Sequence, residues 1–85
     1  MTTTAPTGAT MNIIPLDLRG LKCPLPVLRV RKALIAAPAG TLLVVECTDP
    51  MAAIDLPNLV RETGDIIELQ GDADGALVFH IRKAA

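Results

Sequence analysis

From residue 12 onward, apolar and polar positions change their spacing often enough to divide the chain into six elements. Ile14, Leu16 and Leu18 alternate with Ile13, Pro15 and Asp17, which predicts a strand over 12–18. Pro15 cannot donate to a sheet ladder, so this strand belongs at an edge. Arg19-Gly20-Leu21-Lys22 reads as a loop, with Gly20 supplying backbone freedom. Val27, Val30, Leu34 and Ile35 recur at helical spacing and predict a helix over 24–37, ended by Pro38-Ala39-Gly40. Arg31 falls between Val27 and Leu34 on that helix, so it must snorkel past the core edge or pair with an acid. The apolar run Leu42–Val45 predicts an inner strand over 41–47, covered on both faces for part of its length. Asp49-Pro50 makes a turn. Asp55 reads as the N-cap of a second helix carrying Leu56, Leu59, Val60 and Thr63, with Pro57 in its first turn and Gly64 as C-cap. Residues 65–70 form a strand with Ile67 and Leu69 inward, 71–75 a hairpin loop, and 76–82 a last strand in which Leu77, Phe79 and Ile81 face the core.

The order βαβαββ predicts a two-layer α/β sandwich, a four-stranded mixed sheet with both helices on one face. A length of 85 residues allows one domain, placed at 12–85. Residues 1–11, rich in Thr, Ala, Pro and Gly, are expected to form a disordered tail. With one Phe and neither Trp nor Tyr, the core must be aliphatic.

Charge and cysteine use narrow the classes. Net charge is −1, yet five of the eight basic residues lie between Arg19 and Lys32, where no acid occurs. Cys23 and Cys47 are too few for a secreted disulfide framework or, even with His80, for a structural zinc site. No apolar run approaches the roughly 20 residues that span a bilayer, and the N-terminus lacks the basic-then-apolar pattern of a signal peptide. A reducing cytoplasm, free thiols and no membrane insertion are expected. Cys47 reads as ordinary core, His80 as an exposed strand residue, and Asp49 and Asp55 as caps.

Chemistry concentrates in Gly20-Leu21-Lys22-Cys23-Pro24-Leu25-Pro26. A proline is favoured at the first helical position, so Pro24 makes Cys23 the N-cap. Cysteine is a poor N-cap, and its placement there points to something other than helix stability. The positive end of the helix dipole and adjacent Lys22, with Arg19 in reach, favour the thiolate. Such settings move a cysteine from about 8.5 toward ~3.5–7.5. Pro26 stiffens the segment and removes an N–H. Cys23 is thus the candidate nucleophile, Gly20, Pro24 and Pro26 its support, and Arg19, Lys22 and Arg29 the candidates for docking acidic partners.

The run Leu16-Asp17-Leu18-Arg19-Gly20-Leu21-Lys22-Cys23-Pro24-Leu25-Pro26-Val27-Leu28 resembles the signature of the TusA/SirA-like sulfur-carrier family, centred on Cys-Pro-x-Pro. The resemblance extends through Arg31-Lys32-Ala33-Leu34, Thr48-Asp49-Pro50, Asp55-Leu56-Pro57 and Ile81-Arg82-Lys83. It implies a fold like the C-terminal domain of translation initiation factor 3. It also implies a persulfide relay. A cysteine desulfurase or rhodanese-like donor loads Cys23, which passes the sulfur to a downstream acceptor protein without metal or organic cofactor. The outlets it implies include tRNA thiolation, molybdenum-cofactor and sulfur-oxidation pathways and membrane thiosulfate uptake.

Two other functions compete. A thiol-based redox or regulatory protein would use the same cysteine. An RNA-binding module would suit the basic segment, but an acidic pI, a single aromatic residue and the lack of a Gly-x-x-Gly loop weigh against direct nucleic-acid contact. A monomer is expected, although the uncovered sheet face, with Val78 and part of the second strand, offers a surface for weak self-association.

Overall fold

The computed structural model of the chain describes residues 12–84; the tail expected over 1–11 lies outside the described residues. Its elements are β1 (Ile13–Leu18), α1 (Leu25–Ala36), β2 (Leu42–Cys47), α2 (Ala52–Thr63), β3 (Ile66–Ala73) and β4 (Ala76–Arg82). The four strands form one mixed sheet in the order β1-β2-β4-β3. β1 and β2 are parallel, from Ile13 opposite Leu42 to Leu18 opposite Cys47, and β4 is antiparallel to both β2 and β3. The predicted two-layer βαβαββ sandwich is therefore the observed fold, and β1, which holds Pro15, is an edge strand.

Both helices pack on the face that carries Leu18, Leu43, Val45, Cys47, Phe79 and Ile81. Val30 and Leu34 from α1 and Leu56, Leu59 and Val60 from α2 close the core over them. The other face of β2, with Leu42 and Val44, is only half-buried, because no layer covers it. This corrects the expectation of a β2 covered on both sides. His80 lies on that same open face, opposite Val44, and is half-buried.

Three local departures have physical causes. A bulge between Ile67 and Leu69 sets Leu69 opposite His80 rather than on the core side, so Leu69 is 48% exposed while Ile67 packs inward. Ile35 is 75% exposed, since α1 presents the stripe through Pro26, Val30 and Leu34 instead. The last hairpin is tighter than the five-residue loop expected. Asp74 and Gly75, both at positive φ, make the two-residue turn that suits the twist of the flanking strands. Arg31 is resolved as an ion pair, its Nη2 lying 3.3 Å from Glu62 Oε1 and tying α1 to α2.

Candidate functional site

Parallel pairing of β1 and β2 brings their C-terminal ends to one edge of the sheet, so the β1–α1 and β2–α2 loops leave side by side. In open α/β sheets this edge is where ligand sites form. Two hydrogen bonds join the loops. The Gly20 N–H donates to Thr48 Oγ1 at 2.9 Å, and the Cys23 N–H donates to Asp49 Oδ2. Gly20 has a φ of +87°, a conformation that costs other residues about 1–2 kcal/mol. Its turn also closes through Leu21 N–H to Leu18 O at 3.2 Å.

Cys23 is exposed at the tip of this loop, and its sulfur is a free thiol. It is not the N-cap. α1 begins at Leu25 with Pro24 in the cap position, the Cys23–Pro24 bond is cis, and the Leu25 N–H donates to Lys22 O at 2.8 Å. Pro26, expected to stiffen the segment and remove an N–H, is buried within the first turn of α1.

The electrostatics differ from those expected of a helix N-terminus. The Cys23 thiol donates to Asp55 Oδ2 at 3.3 Å. That hydrogen bond, followed by desolvation and the nearby charges of Asp55 and Asp49, pushes the Cys23 thiol above its ordinary value. This is opposite to the lowering expected of a cysteine at a helix N-terminus: here the surroundings push the Cys23 thiol up.

Asp49 and Asp55 are likewise more than caps. Asp49 Oδ1 accepts from Met51 N–H at 3.1 Å, which starts the turn into α2, while its other oxygen holds Cys23. α2 starts at Ala52 with Met51 in the cap position. Asp55 therefore sits in the first turn, free to face Cys23, and Pro57 lies inside the helix. Thr48, Asp49 and Asp55 are the site residues that reasoning along the chain missed. Their signal was the βαβ order itself, which forces the loops after β1 and β2 together.

The three candidate docking cations separate. Arg19 forks onto Asp17, at 2.8 Å from Nε and 3.0 Å from Nη2. That pair holds the Asp17 carboxyl at about 2, chiefly through the side-chain hydrogen bond. Lys22 and Arg29 are exposed and enter no ion pair among the described residues. Arg29 and Lys32 border a groove between α1 and β1, floored by Leu16, Leu18 and Ala33. Exposed Leu25 and Leu28 on α1, with Met51 and Ile54 at the start of α2, flank the two loops with apolar surface. Cys47 is fully buried, as expected, and its thiol is raised by desolvation, then by Asp49. Among the described residues no group of three His, Cys, Asp or Glu side chains is placed to hold a metal ion, and no helix is long and apolar enough to cross a membrane.

The family model for Sulfurtransferase TusA matches residues 14–83. The sulfur carrier protein TusA of Allochromatium vinosum is 38% identical over 69 residues, covering 81% of this chain and 91% of that one. The sulfur carrier protein TusA of Pseudomonas putida strain F1 is 38% identical over 71 residues, 82% of this chain and 88% of its own. The crystal structure of a SirA-like protein from Desulfitobacterium hafniense superposes with a TM-score of 0.73 at 26% identity, over 85% of this chain and 99% of that one. An exposed cysteine, braced by two loops at the open end of a βαβ unit, is the candidate site, and the chain belongs to the TusA family.

Proposed function

We propose that this protein is a cytoplasmic sulfur carrier that holds its cargo as a persulfide on Cys23. One observation carries the reading: a free, exposed sulfur is fixed at the tip of a loop whose backbone is tied to a second loop at Gly20 and Cys23. A carrier needs its reactive atom accessible to two successive proteins, and rigid enough to be presented alike to both. The relatives' names as sulfur carriers support the same role.

The chemistry is thiol–disulfide exchange with one extra sulfur. Cys23 attacks the outer sulfur of a donor persulfide; a new S–S bond forms, the donor's S–S bond breaks, and the donor leaves as a thiol after taking up the proton lost by Cys23. An acceptor thiol then attacks the outer sulfur of Cys23–S–SH and restores the Cys23 thiol. Neither step needs an oxidant, metal or cofactor. A cysteine desulfurase or rhodanese-like enzyme is the proposed donor, with tRNA thiolation among the proposed outlets. Gly20, Pro24 and Pro26 shape the loop, and Lys22 and Arg29 meet the partners.

Intact-mass measurement after incubation with a cysteine desulfurase and cysteine tests this. A reductant-reversible gain of one sulfur is expected in the wild type and in Cys47→Ser, and none in Cys23→Ser. No gain with either a desulfurase or a rhodanese would overturn the carrier role. A sulfenic acid on Cys23 after mild peroxide would then favour a redox switch.

A further inference from the structure

We propose that Asp55 is a positioning residue that latches Cys23, slowing both the loading and the discharge of sulfur until a partner disturbs its contact with the cysteine. This deepens the carrier role and rests on it.

The geometry places a carboxylate oxygen 3.3 Å from Sγ, from a different helix and 32 residues away in sequence. Asp55 is free to do this because α2 starts at Ala52, with Met51 in the cap position and held by Asp49, so the Asp55 side chain is not used as a cap. The loop cannot drift from it, because Cys23 N–H is held by Asp49. Two carboxylates act on the sulfur, Asp55 on α2 and Asp49 on the β2–α2 loop, while Lys22 is its neighbour in the chain. The Cys23 thiol is raised rather than lowered.

The same charge acts on both half-reactions. In loading, Cys23–SH plus donor–S–SH gives Cys23–S–SH plus donor–SH, and Sγ must give up its proton and carry negative charge before it attacks. In discharge, acceptor–SH plus Cys23–S–SH gives acceptor–S–SH plus Cys23–SH, and negative charge develops on Sγ as it leaves. A less acidic thiol is both less available as thiolate and slower as a leaving group. Asp55 disfavours that charge each time. An empty carrier is thereby shielded from stray electrophiles, and a loaded one from stray thiols. Asp55 also lines a cleft of about 280 Å³ between the helices, with Pro24, Val27, Arg31, Asn58 and Glu62. A partner side chain entering there reaches Asp55 without displacing Cys23.

Asp55→Asn removes the charge and keeps the shape. Iodoacetamide alkylation of the empty protein across pH needs no donor and reads Cys23 directly, in a Cys47→Ser background. The variant's midpoint is expected at lower pH, with faster alkylation at pH 7. After loading by a desulfurase, its persulfide is expected to decay faster in the presence of 2-mercaptoethanol. Urea unfolding verifies that the variant is folded; if it is not, Asp55→Ser carries the same test. A folded variant with the wild-type alkylation profile overturns the latch, as does an unchanged persulfide lifetime. Failure of the wild type to load, with the alkylation midpoint still shifted, would overturn the carrier role alone.

Discussion

At Gly20 one backbone position serves both fold and site. Its φ of +87° turns the chain out of β1, and its N–H reaches Thr48 on the neighbouring loop. Gly64 makes a useful counterpart, since it ends α2 at a φ of +81° with its N–H on Val60 O, away from the cysteine. A Cβ at either glycine would meet nothing within 4 Å, so replacement by alanine is resisted by the backbone conformation alone. Each substitution is expected to cost about 1–2 kcal/mol, measurable by urea unfolding. Only Gly20→Ala is expected to slow sulfur transfer, because only there does the strained turn position the loop that presents Cys23. Equal transfer rates for the two variants would show that the turn serves stability and nothing more. Cys23 itself marks the boundary of what a residue's neighbours in sequence reveal. Lys22, Pro24 and the nearby helix start all argued for a thiolate, and the decisive group, Asp55, was 32 residues away.

At the scale of elements, the pattern of apolar residues was a good guide wherever one face is buried. β1 and β4 alternate as expected, with Leu18, Phe79 and Ile81 in the core, and βαβαββ order follows from spacing alone. Strict alternation failed at β3, because a single inserted residue reverses which face follows it, and a bulge leaves no mark in hydropathy. Spacing also misplaced the start of α2, since Asp55 looks like a cap and Asp49 does the capping from outside the helix. The bulge has a measurable consequence. Leu43→Ala, in the fully buried centre of β2, is expected to lower stability by about 2–5 kcal/mol. Leu69→Ala, on the open face, is expected to change it by under about 1 kcal/mol. Comparable losses in urea unfolding would place Leu69 in the core and refute the shifted register.

Across the whole molecule, ion pairs sort the charges that the sequence lists only by position. Asp17 engages Arg19, Glu62 engages Arg31 and Glu68 engages Arg82, so these three cations are largely neutralised where they stand. Lys22, Arg29 and Lys32 enter no ion pair among the described residues, and they lie beside the cysteine loop and along α1. A chain of net charge −1 thus keeps three exposed cations outside its ion pairs, one in the cysteine loop and two along α1. Complementary charge of this kind acts mainly on the rate of encounter and is screened by salt. The Debye length falls from about 10 Å at 0.1 M to about 3 Å at 1 M. The second-order rate of persulfide transfer from the donor is therefore expected to fall between those salt concentrations. Alkylation of Cys23 by neutral iodoacetamide should stay nearly constant over the same range. Lys22→Glu with Arg29→Glu should slow transfer at 0.1 M and flatten its salt dependence. Arg19→Glu should do less, since Asp17 already meets that charge. A transfer rate indifferent to salt in the wild type would move the docking surface from these cations to the apolar rim of Leu25, Leu28, Met51 and Ile54.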